Sequence, residues 1–371
     1  MTSAKILIIG GGIGGLTAAI ALRQRGFAVD LAEKNPKFAA YGVGIIQQAN
    51  VLRAMESLGV LGAYVQAGFG FDYVYVYAGS GDLIAKVPAP RLVEGYPANL
   101  GISRRSLHEV LTNKASELGA QLEFATQTTR LEDSGSEVTV HFANGSTRHY
   151  DLVVAADGIH SSTRSDLFPE ARRPEFTGQA VWRYNFPRPQ DVDGLCAYSG
   201  AVTVGVVPLS QSEMYMYITT PESSGERPPR EGLARVMRDK LAEACPFISS
   251  LASQITEDAA VVYRPLEWVF LTGPWHRGRV VFLGDAVHST TPHLGQGAGM
   301  AVEDALVLAE ELAGSSSVEK AFVAYRARRY DRCEYIVEKS KAICYGQLGK
   351  GPFVDPALAT REMFDMIARP I

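Results

Sequence analysis

The sequence predicts an α/β fold: a parallel sheet flanked by helices, interrupted by a β-rich substrate domain and closed by a C-terminal helix. Three observations carry this expectation. Near the N-terminus a short apolar run enters a cluster of glycines and then a helical pattern. Polar and apolar residues alternate in stretches between about 175 and 270. After 299 the spacing of apolar residues becomes helical.

Residues 5–9, Lys-Ile-Leu-Ile-Ile, are apolar and end in glycine, which suits a strand buried on both faces. Residues 16–25 have helical spacing, Gly26 stops them, and 28–32 read as a second strand. This is a βαβ unit. Residues 51–58 and 107–118 read as amphipathic helices. Alternation over 137–142 followed by Asn144-Gly145 predicts a hairpin whose return strand runs into 151–156 and stops at Asp157-Gly158. Residues 201–207 and 214–218 read as antiparallel strands, and 223–230 as a surface loop. A short strand over 279–283 precedes helices at 299–313 and 318–345. The expected division is a discontinuous nucleotide-binding domain (1–72, 98–174 and 274–345), a substrate domain (73–97 and 175–273) and a tail (346–371).

Composition narrows the partners. The chain has 371 residues, with 36 Lys+Arg against 40 Asp+Glu. No global basic field exists to hold nucleic acid or an anionic membrane. Cys196, Cys245, Cys333 and Cys344 have no zinc-site spacing, so no metal is expected. The apolar run 6–22 is too rich in glycine for a signal core. The expectation is a soluble cytoplasmic monomer or homodimer acting on a small molecule.

Three motifs carry chemistry. The first is Gly10-Gly11-Gly12-Ile13-Gly14-Gly15, a G-x-G-x-x-G between strand and helix in a Rossmann-type unit. Gly10 permits the tight turn, Gly12 lets backbone approach a pyrophosphate, and Gly15 lets helix pack on sheet. Glu33, followed by Lys34, ends the second strand at the spacing of a ribose-binding carboxylate. An acid there fits the unphosphorylated ribose of FAD or NAD, and these residues do not separate the two. The second motif is Ala155-Ala156-Asp157-Gly158 with His160, Ser161 and Arg164. The third runs from Gly284-Asp285 through His288, Pro292 and Gly295-Gln296-Gly297 to Glu303-Asp304. Its loop presents bare N–H groups at a helix start, suited to an oxyanion or an electron-rich ring edge.

These motifs, in this order and spacing over nearly all of 1–345, resemble the single-component (class A) flavin-dependent aromatic hydroxylases typified by para-hydroxybenzoate hydroxylase, especially the short urate-, salicylate- and hydroxypyridine-type members. The resemblance implies non-covalent FAD, with NADH or NADPH as a transient co-substrate. It implies that O2 is activated as a C4a-hydroperoxyflavin, which hydroxylates a small aromatic or N-heteroaromatic ring. It implies that Gly10–Gly15 hold the pyrophosphate, Glu33 the adenosine ribose, Thr128 the adenine and Arg104 the cofactor. It further implies that Asp157-Gly158 lie near FAD and the donor, that Asp285 meets the ribitol, and that Pro292 with Gly295, Gln296, Gly297, Ala298 and Gly299 walls the flavin ring. The other readings are an FAD-dependent dehydrogenase or quinone reductase of the same fold, or a non-catalytic flavin-binding protein.

Departures from the family pattern matter, and one is Ala49-Asn50 where relatives often have Pro-Asn. Gly299 stands where relatives often carry Asn, and the sheet positions of a family His and Tyr, near 201–206, are small or apolar. Tyr215 and Tyr217 share one strand face, with Met214 and Met216 on the other. Arg183, beside Trp182 and Tyr184, is a candidate partner for a substrate carboxylate or enolate. Tyr215, Arg183, Tyr217 and Pro292 are the candidate catalytic group. Without the His, the expected ring is already acidic or anionic. His288 reads as a hydrogen-bonded turn residue, and the charge run 326–332 as a solvated helix face.

Overall fold

The computed structural model describes residues 4–36, 42–200 and 202–371. Six strands form one sheet in the order His276–Arg277, Val280–Phe282, Leu152–Ala155, Lys5–Ile9, Ala28–Ala32, Gln121–Glu123. All neighbours run parallel except the His276–Arg277 edge. Ile6, Leu7 and Ile8 are fully enclosed, as a centre strand covered on both faces requires. The helix Ile13–Gln24 starts inside the glycine cluster, earlier than the apolar spacing suggests. It packs beside Gly297–Gly314 and Arg104–Glu117.

The expected return strand is two strands. Thr147–Tyr150 closes the hairpin on Val138–Phe142, and Leu152–Ala155 enters the parallel sheet. The break falls at Asp151, whose carboxylate accepts the Lys5 backbone N–H at 2.6 Å.

A seven-stranded sheet runs Val262–Trp268, Glu175–Pro187, Glu213–Pro221, Thr203–Pro208, Leu195–Tyr198, Tyr73–Tyr77, Leu83–Pro88. Residue 201, expected to open the 201–207 strand, lies outside the described residues. The two-residue period sorts the sheet's faces. Met214, Met216 and Ile218 pack with Trp182, Tyr184 and Phe186, under the helices Leu233–Asp239 and Pro246–Ala252. Tyr215 and Tyr217 take the opposite face, as expected, with ring centroids 6.1 Å apart.

Two expectations are corrected. The stretch 346–371 is no loose tail: it folds into the helix Pro356–Ala368, with Ala359, Met363, Phe364 and Ile367 buried. Asp355 caps it by accepting N–H bonds from Ala357 and Leu358. The charge run is not simply a solvated face either. Arg328 pairs outward with Glu310 and Glu311, but Arg329 and Arg332 are buried. The helix Val318–Gln347 has neighbours on more than one side, so its charges divide between solvent and core.

Candidate active site

A cavity of about 610 Å³ opens between the two sheets, within the usual range of small-molecule and cofactor sites. Its walls come from all three motifs and from the free face of the seven-stranded sheet.

The glycine loop is shaped for close approach. Gly10 has φ +106°, a left-handed conformation in which a side chain would also overlap the Ala156 carbonyl. A Cβ on Gly15 would overlap the Gly10 carbonyl, so helix and strand touch there. Gly12 differs: its φ is −72°, and a Cβ would meet nothing within 4 Å. Gly12, Ile13 and Gly14 line the cavity, and no side chain caps the helix they open. The first N–H groups and the positive end of that helix therefore face the cavity. Glu33 sits behind the loop. Its carboxylate accepts the Gly11 N–H at 2.8 Å and the Asn35 backbone and side-chain N–H groups at 2.8 and 2.6 Å.

Motifs two and three are tied together by Arg164. Its buried guanidinium donates to the Ala286 carbonyl at 2.8 Å and the Ile159 carbonyl at 2.6 Å. Asp157 accepts the Thr163 N–H through Oδ2, while its buried Oδ1 has no protein partner. Asp285 opens onto the cavity. Burial by the surrounding protein raises its carboxyl pKa, against the opposing pull of His288, Arg104 and a Ser289 hydrogen bond. A second uncapped helix, Gly297–Gly314, presents Gly297 and Ala298 to the same space. Two uncapped helix starts, open backbone at Gly12, the Asp285 carboxylate and arginines at 104, 183, 227 and 264 make a cradle that fits a dinucleotide diphosphate and a polyol.

Arg183, Tyr215 and Tyr217 also line this cavity, and Tyr184 points to the sheet's other face. Arg183 is the register partner of Tyr217. Burial, then repulsion from Arg104, lowers its pKa to about 10. Burial pushes the Tyr217 hydroxyl up to about 12.

A smaller chamber of about 150 Å³ lies beyond Pro292. It shares Ile46, Tyr217, Pro292 and Gly295 with the large cavity. Phe71, Val74, Val76, Leu195 and Ala197 give it an apolar wall, and Met363 and Phe364 of the C-terminal helix close it. His293 lines it with both nitrogens engaged, by Thr291 Oγ1 at 2.9 Å and Gln347 Oε1 at 3.1 Å. Burial lowers the His293 pKa to about 4.

Of the other residues singled out by sequence, Glu33, Lys34, Thr128, Asp157, Gln296 and Gly299 do not line the large cavity among the described residues. Lys34 is exposed, and Thr128 opens the strand Thr128–Asp133 opposite Phe142. Gln296 turns inward and exchanges amide hydrogen bonds with Asn50, at 3.0 and 3.2 Å. A Cβ on Gly299 would lie 2.7 Å from Gln296 Oε1 and 3.2 Å from Asn50 Nδ2. That amide pair fills the space a side chain at 299 would need.

Behind the third motif lies a buried ion cluster. Asp304 bonds His288 Nε2 at 2.6 Å, Arg329 Nε at 2.8 Å and the Gly284 N–H at 3.1 Å. Glu303 pairs with Arg329 at 2.8 Å and with Arg332 at 2.9 Å. Cys333 joins His288 and Asp304, but Arg329 supplies the positive charge there. His288 is thus a structural anchor of the Gly284-Asp285 turn and lies outside both cavities.

The family model described as FAD binding domain matches residues 3–340. The 6-hydroxynicotinate 3-monooxygenase of Pseudomonas fluorescens is 30% identical over 90% of this chain and 89% of its own length. The 2-heptyl-3-hydroxy-4(1H)-quinolone synthase of Pseudomonas aeruginosa strain UCBPP-PA14 is 30% identical over 93% of this chain and 89% of its own. The crystal structure of Klebsiella pneumoniae HpxO complexed with FAD and uric acid superposes with a TM-score of 0.84 at 27% identity, covering 98% of this chain and 92% of that one. Among the described residues no helix is long and apolar enough to cross a membrane.

Proposed function

The chain belongs to the FAD binding domain family, and from that premise we propose that it is a monooxygenase acting on a small aromatic or N-heteroaromatic ring, with NADH or NADPH as transient reductant. One observation carries the reading: a dinucleotide-sized polar cradle and a ring-sized apolar chamber meet at Tyr217, Pro292 and Gly295. The relatives are named for aromatic heterocycles or are bound to one.

In this reading the N–H groups at Gly12–Gly14 hold the pyrophosphate. Glu33, with Lys34 and Thr128 nearby, serves the adenosine end, and Asp285 the ribitol. Arg104 braces the cofactor, the Gly295–Ala298 backbone faces the flavin ring edge, and Asp157-Gly158 border the donor's approach. Bound in the cradle, FAD supplies hydride acceptance from the nicotinamide and activation of O2. The chain holds the ring against Pro292 and keeps water out. Among the described residues the chamber offers no strong base: at neutral pH Tyr217 stays protonated and His293 is uncharged with both nitrogens occupied. The ring's own electron density must drive the attack, and the protein contributes position.

The test is a panel of phenols and hydroxylated N-heterocycles, scored by stimulated NAD(P)H oxidation and product mass. Gain of one oxygen atom is expected. Stimulated oxidation with no oxygenated product identifies a dehydrogenase or quinone reductase and overturns the proposal.

A further inference from the structure

The hydroxylase reading leaves the ring's chemistry open, and the chamber narrows it. No Asp, Glu, Lys or Arg lines it among the described residues. Its one imidazole is already committed to Thr291 and Gln347. Gly205, the register partner of Tyr217 in the strand Thr203–Pro208, would bring a Cβ to within 2.2 Å of the Tyr217 ring. Arg183 lines only the larger cavity.

Two polar atoms in the chamber wall do await a partner. Asn99 is 2% exposed and Thr219 5% exposed, and both line the chamber. Asn99 Nδ2 and Thr219 Oγ1 are buried with no protein partner. Buried polar groups are normally satisfied, so an unpaired donor on a residue that lines a cavity marks a candidate position for a ligand acceptor. Size adds a limit, since an apolar protein cavity of about 150 Å³ admits benzene.

We propose that this chamber takes an uncharged monocyclic ring bearing a carbonyl or hydroxyl oxygen, bound by Asn99 Nδ2 and the Thr219 hydroxyl, and rejects ring carboxylates. The proposal rests on the hydroxylase reading and replaces the expectation of an anionic ring. A carboxylate here would leave water without a countercharge, whereas an amide or lactam keeps its hydrogen bonds without that desolvation. The relation to carboxylated substrates, as in the 6-hydroxynicotinate enzyme, is therefore one of fold and not of ring charge.

The experiment titrates the FAD-loaded protein at pH 7.5 with 6-hydroxynicotinamide and 6-hydroxynicotinate, which share a shape and differ in charge. Binding is read from perturbation of the bound-flavin spectrum, independently of turnover. The amide is expected to bind at least 30-fold tighter. Asn99→Ala and the near-isosteric Thr219→Val should each weaken the amide about tenfold at unchanged flavin content. Thr203→Arg, which adds a cation to the chamber, should reverse the preference. Equal or tighter binding of the carboxylate, no binding of the amide, or indifference of amide binding to both Asn99→Ala and Thr219→Val overturns the proposal. Absence of oxygenated product with intact amide selectivity sinks the hydroxylase reading alone.

Discussion

Replacing Gly12 with Val separates cofactor binding from folding. Position 12 has an ordinary φ of −72°, and a Cβ placed there has no heavy atom within 4 Å. The protein accepts a Cβ there without a clash, and position 12 borders the large cavity. The apo fold pays only for a poorer helix start, about 1 kcal/mol. For 371 residues, at about 2.1 cal/mol/K of unfolding entropy each, that is a shift of roughly 1 °C in Tm. A bound pyrophosphate, in contrast, is displaced from the helix N-terminus. Loss of two charge-assisted hydrogen bonds at about 1.5–3 kcal/mol each removes roughly 3–6 kcal/mol of binding. That is on the order of a hundredfold to ten-thousandfold in Kd. The assay pairs apo-protein melting with fluorescence titration of FAD. Gly15→Ala is the counterpart, because its Cβ would overlap the Gly10 carbonyl and must destabilise the fold itself. Full flavin affinity in Gly12→Val, or an apo Tm lowered by several degrees, refutes the placement of the phosphates.

Two further outcomes follow from the third motif. Asp285→Ala should lower FAD retention and turnover together, by roughly 1.5–3 kcal/mol in binding, and an unchanged FAD Kd by titration would move the ribitol contact elsewhere. Asp304→Asn removes the buried carboxylate that Arg329 and His288 share, leaving Arg329 with Glu303, and should cost about 3–5 kcal/mol of stability, measured by denaturant unfolding. Burial would raise the Asp304 pKa, but His288 and Arg329 hold it down to about 2 from 3.8. Its folded value is depressed, so its contribution is full above 3.8 and disappears as pH falls towards 2. The gap between wild type and Asp304→Asn should therefore close over that interval; a gap constant down to pH 2 contradicts the assignment.

Legibility follows the range of the signal. The Lys5–Ile9 strand, the glycine turn and the faces of Tyr215 and Tyr217 are local patterns, and the sequence displays them directly. The chamber is not local. It joins Phe71, Leu195, Tyr217, Pro292, Gln347 and Phe364, which no spacing rule relates. The C-terminal helix leaves a readable trace in Asp355-Pro356, an N-cap followed by proline at the first turn, but its apolar stripe is short and easily passes for a tail. Arg329 departs from expectation for a physical reason. Charge in a helix predicts solvent unless a counterion is buried with it, and Glu303 and Asp304 come from another helix.

The central claim is oxygen transfer to a ring held against Pro292. It is tested most directly by turnover under 18O2 with NAD(P)H and whichever uncharged hydroxylated ring binds. Product carrying one 18O atom from the gas is the predicted result. Product with oxygen drawn only from water, or NAD(P)H oxidised with the ring unaltered, contradicts it.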